Sequence, residues 1–335
     1  MKTKIKFGIL GCSTIANKSV LPAIQKSIHS EIEIIGSRSI DKARKFANNF
    51  ECKEYGTYDD VLKNSEIDAV YISLPIGLQE KWVMASANAG KHVLCEKSST
   101  TSFESAKKMV SECKMNNVRL MEGLMFRFHP QHKTILNSIK KNELGSIFSF
   151  RSVYGFPMPD KKNIRLKKKL GGGVLNDAGC YPVCASRILF ESEPIGVLSK
   201  LFFKKNIDVD VKFSGMLVYS NNRISSMHVG YGLFFQSMYE IWGEHGKIST
   251  NRAYNIPPNE KPIVSKFKKI EKKIPINSVD HFQLMIDSFS QEILGKKQSI
   301  YNFEEDLLKQ AKVMDALRMS NKEQRYVKLD ELSSD

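Results

Sequence analysis

Along the first 120 residues, short apolar runs alternate with segments whose apolar residues recur at helical spacing. Lys4–Gly11 (KIKFGILG) predicts a first strand and Ile15–Lys26 a helix. Glu31–Ser37 (EIEIIGS) predicts a second strand, and Asp41–Phe50 a helix with Asp41 as its N-cap. Asp68–Leu74 predicts a strand closed by Pro75, and Gln79–Asn88 a helix ended by Gly90. Lys91–Lys97 and Val118–Gly123 predict two more strands on either side of a helix at Phe103–Asn116. Strand–helix alternation of this kind implies a parallel sheet with helices on both faces.

After about residue 123 the pattern changes. Strands are expected at Ile147–Tyr154, Ile195–Lys204, Val211–Tyr219, Arg223–Tyr231 and Met238–Trp242, several with only turns between them. Ser220-Asn221-Asn222 reads as a hairpin turn, and helices are expected at Asp177–Phe190, Asp280–Leu294 and Phe303–Met319. The expected fold class is α/β. A Rossmann domain with a parallel sheet spans 1–122. An α+β domain with an open, mostly antiparallel sheet spans 123–335 and serves substrate binding and oligomerisation.

Composition narrows the function classes. With 335 residues, 41% hydrophobic and 26% charged, the chain has material for two globular cores, which excludes a disordered tail protein. No apolar run nears the ~18–20 residues of a membrane span. Ile9-Leu10-Gly11-Cys12 imitates a lipoprotein cleavage box, but Phe7–Gly11 is shorter than the ~7–15 residues of a signal core, so a cytoplasmic location is expected. Cys12, Cys52, Cys95, Cys113, Cys180 and Cys184 include no C-x-x-C pair, so no metal is expected. The net charge is +15, with 40 Lys against 11 Arg spread along the chain. Clusters at Lys161–Lys169 and Lys266–Lys273 lack interleaved aromatics, so neither nucleic acid nor membrane is the expected partner.

Gly11, Ser13 and Ala16 follow the first strand and open a helix, in the positions of a dinucleotide fingerprint whose second glycine is replaced by serine. A pyrophosphate there would meet free N–H groups at a helix N-terminus. The second strand ends in Gly36-Ser37-Arg38-Ser39, with no acid before Asp41. An acid there would bind a ribose 2′-OH, whereas Arg38 with Ser37 and Ser39 suits a 2′-phosphate, so NADP is expected over NAD. Glu96 and Lys97 end a strand at the carboxyl edge of the sheet. Gly171-Gly172-Gly173 lets the backbone turn freely, and Asp177 and Tyr181 follow four residues apart on one helical face. Each of these has a plain structural reading as well: a strand–helix turn, solvated lysines, or a cap and a core tyrosine.

Taken together, Gly11 to Ala16, Lys91–Lys97, Met121–Gln131 and Gly171–Tyr181 resemble, in order, the glucose–fructose oxidoreductase / inositol dehydrogenase family. Ser19–Ala23, Phe156-Pro157 with Arg165, Gly246, Arg252-Ala253 and Pro257-Pro258 resemble its nucleotide-sugar 3-ketoreductases. The resemblance implies a hydride transfer between NADP(H) and a sugar carbon, with Lys97 and Tyr181 catalytic. A Lys97 ammonium would draw the tyrosine hydroxyl below its usual pKa near ~10. The implied cofactor-binding set is Gly11, Cys12, Ser13, Thr14, Ile15, Ser37, Arg38, Ser39, Leu74, Pro75, Glu96, Lys97 and Arg127. Asp177 and Arg165 are the implied substrate residues. Ser98 stands where the family has proline, and Ile76 and Gln79 where it has Asn and His. The implied substrate is a nucleotide-linked sugar, and a homo-oligomer through the C-terminal sheet is expected. The alternatives are a free-sugar or trans-dihydrodiol dehydrogenase of the same family and a non-catalytic dinucleotide-binding regulator.

Overall fold

The protein is described by a computed structural model over residues 2–332. Packing divides it into two units, the first formed by residues up to Met125 together with His281–Leu308. Its strands are β1 (Ile5–Leu10), β2 (Ser30–Gly36), β3 (Glu54–Gly56), β4 (Ala69–Ile72), β5 (His92–Glu96) and β6 (Leu120–Gly123). They form a parallel sheet in the order β3-β2-β1-β4-β5-β6. Both faces are covered, which explains why the central strands are continuous apolar runs rather than alternating ones: Phe7, Ile9, Leu10, Val70, Tyr71 and Ile72 are all buried. The order reverses between β1 and β4, and the crevice outside the carboxyl ends of such a pair is where open α/β sheets hold ligands.

The helices of this unit are α1 (Leu21–Lys26), α2 (Ile40–Asn49), α3 (Tyr58–Lys63), α4 (Ile76–Asn88) and α5 (Phe103–Met115). A π-helical turn, Ala16–Val20, leads into α1, so the expected helix begins with a wider turn. The N-cap of α2 is Ser39, whose Oγ accepts from Lys42 N at 3.4 Å, and Asp41 lies in the first turn instead. Two elements went unread. β3 is a three-residue edge strand, too short for a periodic signal, and α3 is opened by a Thr57–Asp60 capping box.

The helix His281–Ile293 packs on α1 and β2, with Phe289 against Phe7 at 6.1 Å between ring centroids and Asp287 accepting from Ser27 Oγ at 2.5 Å. Arg119 Nε donates to Glu304 at 2.9 Å. Residues 281–308, placed in the second domain on sequence, thus pack with the first unit. The apolar stripe Phe282, Met285, Ile286 and Phe289 announces a buried helix face but not which sheet it covers.

The second unit comprises Phe126–Asp280 and the residues from Lys309 on. Helices α6 (Pro130–Lys140) and α7 (Cys180–Phe190) accompany β7 (Ile147–Phe156), β8 (Gly196–Phe203), β9 (Asp210–Val218), β10 (Ile224–Tyr231) and β11 (Gln236–Gly243). Further strands are β12 (Gly246–Thr250), β13 (Ile263–Phe267), β14 (Glu271–Pro275) and β15 (Val327–Lys328). The sheet runs β14-β13-β12-β11-β7-β10-β9-β8-β15, antiparallel except where β7 meets β10. Alternation is clear in β9, where Val211, Phe213 and Leu217 are buried and Lys212 is exposed. Asn221 and Asn222 both take positive φ (57° and 56°) in the three-residue hairpin turn Ser220-Asn221-Asn222, closed by Tyr219 N donating to Arg223 O at 2.9 Å. β14 is an edge strand carrying Lys272, Lys273 and Pro275, residues that discourage pairing with another chain. This accounts for part of the Lys266–Lys273 cluster. Among the described residues, no helix is long and apolar enough to cross a membrane.

Candidate active site

In the first unit, Gly11 follows β1 with φ +108°. A Cβ there would lie 2.8 Å from Leu74 Cδ2 and 3.1 Å from Ser73 O, so only glycine makes this turn without strain. Ser73 Oγ donates to Gly11 O at 2.7 Å and ties the turn to the end of β4. Ser13, in place of the usual glycine, accepts from Ala16 N at 3.1 Å. Its side chain therefore folds back onto the helix start instead of projecting from the turn. Thr14 is exposed, Ile15 half-buried and Ala16 fully buried, the last allowing close helix–strand packing.

The turn after β2 is tied together by its serines. Ser37 N donates to Gly56 O at 3.0 Å, and Ser37 Oγ accepts from Ser39 N at 3.3 Å. Both serine oxygens thus accept backbone N–H groups; the exposed Ser39 hydroxyl retains a proton that a phosphate oxygen can accept, while buried Ser37 also bonds the Cys12 thiol. Arg38 is exposed between them. Its neighbour is Tyr58, whose ring packs edge-on against Trp82 at 4.8 Å and whose hydroxyl is pushed up by burial, with the Arg38 charge opposing that shift. Cys12 is buried under the same turn, and burial also raises its thiol.

Leu74 and Pro75 lead into α4, and buried Gln79 donates from Nε2 to Leu74 O at 2.9 Å. The Gln79 Oε1 atom is buried with no partner among the described residues. Glu96 is buried and accepts from Tyr71 Oη at 2.6 Å. Burial raises the Glu96 carboxyl, against the pull of the Tyr71 hydrogen bond and the Lys97 charge. Lys97 is half-buried at the exit of β5, and the Lys97–Ser98 peptide is cis. Glu122 on β6 holds that exit by accepting from Ser99 N at 2.8 Å.

In the second unit, the glycine loop is built by its own backbone. Gly172 N donates to Lys167 O at 3.1 Å and Gly173 N to Arg165 O at 2.9 Å. A Cβ on Gly172 would lie 2.5 Å from Arg165 O, and Gly173 has φ +118° with its Cβ position inside contact distance of Asp210 Oδ1. Asp210 on β9 accepts from Leu175 N at 2.7 Å, and Arg318 bonds Asn176, whose Nδ2 donates to Gly171 O at 3.0 Å. The expected helix from Asp177 starts as a π-helical turn, Leu175–Gly179, before α7.

Asp177 Oδ2 accepts from Arg165 Nε at 2.8 Å and from Tyr231 Oη at 3.2 Å. The Asp177 charge raises the Arg165 guanidinium, and Tyr231 and Tyr181 act in the same direction, so the three groups face one cation. Tyr181 is buried, its ring packed against Phe126, Tyr154 and Tyr254 at 5.7, 5.6 and 5.5 Å. Tyr254 in turn shares a 2.6 Å hydrogen bond with Ser152. Arg127 lies in a short 3-10 turn, Met125–Phe128, and is half-buried. Lys161, Lys162, Lys167, Lys168 and Lys169 are exposed. Tyr231, Tyr154, Tyr254 and Asp210 were missed on sequence. The tyrosines look like ordinary strand and core residues, and Asp210 gives no local signal.

Comparison with known proteins decides the family. Residues 5–124 match the oxidoreductase family with an NAD-binding Rossmann fold, and residues 132–249 match the GFO/IDH/MocA C-terminal domain. A dTDP-3,4-didehydro-2,6-dideoxy-alpha-D-glucose 3-reductase from Saccharopolyspora spinosa is 30% identical over 88% of this chain and 89% of that protein.

The chain belongs to the GFO/IDH/MocA oxidoreductase family.

D-xylose 1-dehydrogenase (NADP(+)) 2 from Haloferax volcanii is 36% identical over 75% of this chain and 77% of that protein. The crystal structure of KijD10, a 3-ketoreductase from Actinomadura kijaniata in complex with NADP and TDP-benzene, superposes with a TM-score of 0.91. It is 29% identical and covers 95% of this chain and 98% of that one. The two-domain α/β architecture and the oxidoreductase class expected from sequence are those of this family.

Proposed function

We propose that this member of the family reduces the ketone of a nucleotide-linked sugar with NADPH. The observation that carries the substrate half is the Arg165–Asp177–Tyr231 cluster beside Tyr181, following a glycine loop packed tightly against Arg165 O and Asp210. Similarity to dTDP-sugar 3-reductases over nearly the whole chain supports the same reading. The NADP half is supported by the absence of an acid at the end of β2 and by Ser37, Arg38 and Ser39 there. The positive-φ Gly11 turn has no room for a side chain and is the kind of cradle a pyrophosphate needs.

When bound, the dinucleotide supplies the hydride. Ser13, Thr14 and Ile15 offer N–H groups at the helix start, with Gly11 and Cys12 shaping the turn. Leu74 and Pro75 border the crevice at the end of β4, and Glu96, Lys97 and Arg127 complete the proposed cofactor set. Tyr181 donates its hydroxyl proton to the alkoxide oxygen as the ketone carbon is reduced. Lys97 is the proposed source of positive charge for the developing oxyanion, which would favour the transition state over the neutral ketone. Asp177, fixed by its contact with Arg165 Nε, accepts a hydrogen bond from a substrate hydroxyl and so orients the sugar ring.

The test is turnover of NADPH with paired keto sugars, one nucleotide-linked and one free. A much lower KM for the linked form is expected. Equal KM values would instead favour the free-sugar reading, to which the Haloferax volcanii relative lends its name. A second part of the proposal concerns assembly. The outward face of the nine-stranded sheet carries Leu198, Phe202 and Trp242 exposed, a surface suited to a second copy of the chain, which sedimentation would detect.

A further inference from the structure

We infer that Phe234, with Phe235 beside it, is the platform on which the base of the nucleotide-linked substrate stacks. The inference rests on the nucleotide-sugar reading above and adds the subsite for the base. Leu233, Phe234 and Phe235 form the turn between β10 and β11 and expose 37%, 87% and 42% of their surface. Two adjacent exposed phenylalanines next to a candidate site are an unsatisfied apolar surface that calls for an occupant.

The turn is built rather than loose. Gly232 takes φ +70°, and Leu233 N donates to Phe156 O at 3.2 Å. Neighbouring strands leave out side chains to seat it. A Cβ on Gly230 would lie 2.6 Å from Leu233 Cδ1, and one on Gly155 would lie 3.0 Å from Phe234 O. The Arg252 guanidinium lies 4.9 Å over the Phe235 ring and is itself paired with Glu260 at 3.0 Å. A ring fixed in this way loses little freedom when a flat ligand covers its neighbour.

Position selects the occupant. The turn begins at Tyr231, whose hydroxyl donates to Asp177. It leans on Met158, whose Cε is 3.4 Å from where a Gly232 Cβ would stand. Met158 opens the stretch that runs through Lys161 and Lys162 to Arg165. One rim thus offers a carboxylate for sugar hydroxyls, cations for a diphosphate and an aromatic face for a base. Those are the three chemical parts of a nucleoside-diphosphate sugar. Of the other exposed aromatic pairs, Phe148 and Trp242 lie at the opposite end of β7 and β11 from this turn, and Phe202 and Phe203 lie on β8, separated from β10 by β9. Every nucleobase has a π-face, so the platform alone fixes the class of ligand and not the base.

Calorimetric titration with dTDP and with UDP tests this, using the full chain, Phe234→Ala and Phe234→Tyr, with melting curves to confirm folding. Loss of one base stack should weaken nucleoside diphosphate binding about 10- to 100-fold in Phe234→Ala. Phe234→Tyr should bind like wild type, and NADPH affinity should be the same in all three. The ratio of kcat/KM for nucleotide-linked over free keto sugar should fall by the same factor. Unchanged dTDP and UDP affinity in Phe234→Ala overturns the platform while leaving the nucleotide-sugar reading intact. No binding of either diphosphate to wild type overturns that reading and the platform with it. If the loss in Phe234→Ala merely follows dissociation of an oligomer, seen by sedimentation, the occupant is a second copy of the chain and the platform is overturned.

Discussion

Asp210→Asn isolates what holds the glycine loop in place. The Asp210 carboxylate receives Leu175 N–H at 2.7 Å, at the start of the helical run that continues through α7. Burial raises its carboxyl, while the Leu175 N–H and the Arg318 charge favour the ionised form. An asparagine keeps the size but exchanges a charge-assisted hydrogen bond of about 1.5–3 kcal/mol for a neutral one of about 1 kcal/mol. It also gives up the attraction of a carboxylate for a helix N-terminus, about 0.3–1 kcal/mol. Relief of the burial cost of the charge offsets part of this, so we predict a net loss of about 0.5–1 kcal/mol, or roughly 1–4 °C in Tm for a unit of this size. Tyr181 and Asp177 follow this anchor by a few residues, so kcat should fall as well. NADPH affinity should not change, because Asp210 lies outside the unit that carries the dinucleotide turn. Thermal melting, steady-state kinetics and NADPH titration of the purified variant measure all three. A variant with wild-type Tm and kcat would refute the reasoning, since the carboxylate would then be a spectator. Gly173→Ala supplies an independent check. With φ +118° and a Cβ inside contact distance of Asp210 Oδ1, it should be the more damaging of the two.

Lys97→Ala and Tyr181→Phe should each lower kcat by ~10²-fold or more, with NADPH binding kept in Tyr181→Phe, and near-wild-type turnover in the tyrosine variant would remove it from the acid role. Arg38→Ala should weaken NADPH by about 1.5–3 kcal/mol and leave NADH nearly unchanged. Equal losses for both cofactors would mean that Arg38 acts through its contact with Tyr58 instead. His129 caps α6 from a buried position, and burial pushes its imidazole down to about 4. Its neutral form is favoured in the fold, so that stability is complete above the unfolded pKa near ~6.5 and is lost as pH falls towards about 4. Urea unfolding should show about 3 kcal/mol of acid sensitivity over that window in wild type and less in His129→Asn, which keeps a cap. Parallel pH profiles for the two would contradict the assignment.

The dinucleotide unit was legible because every strand of a parallel sheet is buried on both faces. β1, β2, β4, β5 and β6 therefore appear as apolar runs with turn residues at their ends. β3, at the edge and three residues long, has no such run. In the second unit, alternation exposed β7 to β11, whereas β13 and β14 were hidden by lysines that serve the edge rather than the core. Gly11, Arg38, Lys97, Asp177 and Tyr181 could be named from motifs because each motif is local. The aromatic packing around Tyr181 comes from Phe126, Tyr154 and Tyr254, far apart in the chain, and no spacing rule links them. The same limit applied to residues 281–308. An amphipathic pattern shows that a helix buries one face but does not say against which sheet.

Arg165 illustrates how geometry changes the meaning of a motif that sequence had found. It is one of six basic residues between Lys161 and Lys169 and an implied substrate residue, and a cation in that place suits a diphosphate. In the fold its Nε is bound to Asp177, and a guanidinium paired with a carboxylate contributes little net charge beyond the pair. Attraction for a diphosphate then falls mainly on Lys161, Lys162, Lys167, Lys168 and Lys169, which are exposed and hence screened over a Debye length of about 8–10 Å. Exposed lysines speed the encounter and tolerate many anions, but they do not fix a geometry. On the proposed function, the orientation of the sugar comes from groups that are held: Asp177 between Arg165 and Tyr231, Tyr181 in its aromatic packing, and the base on the proposed Phe234 platform. On this reasoning Arg165→Ala should act first on Asp177. It should lower kcat for free and nucleotide-linked sugars alike, whereas added salt should raise KM for the nucleotide-linked form alone. An Arg165→Ala enzyme that loses only its preference for the nucleotide-linked form would return the arginine to the diphosphate.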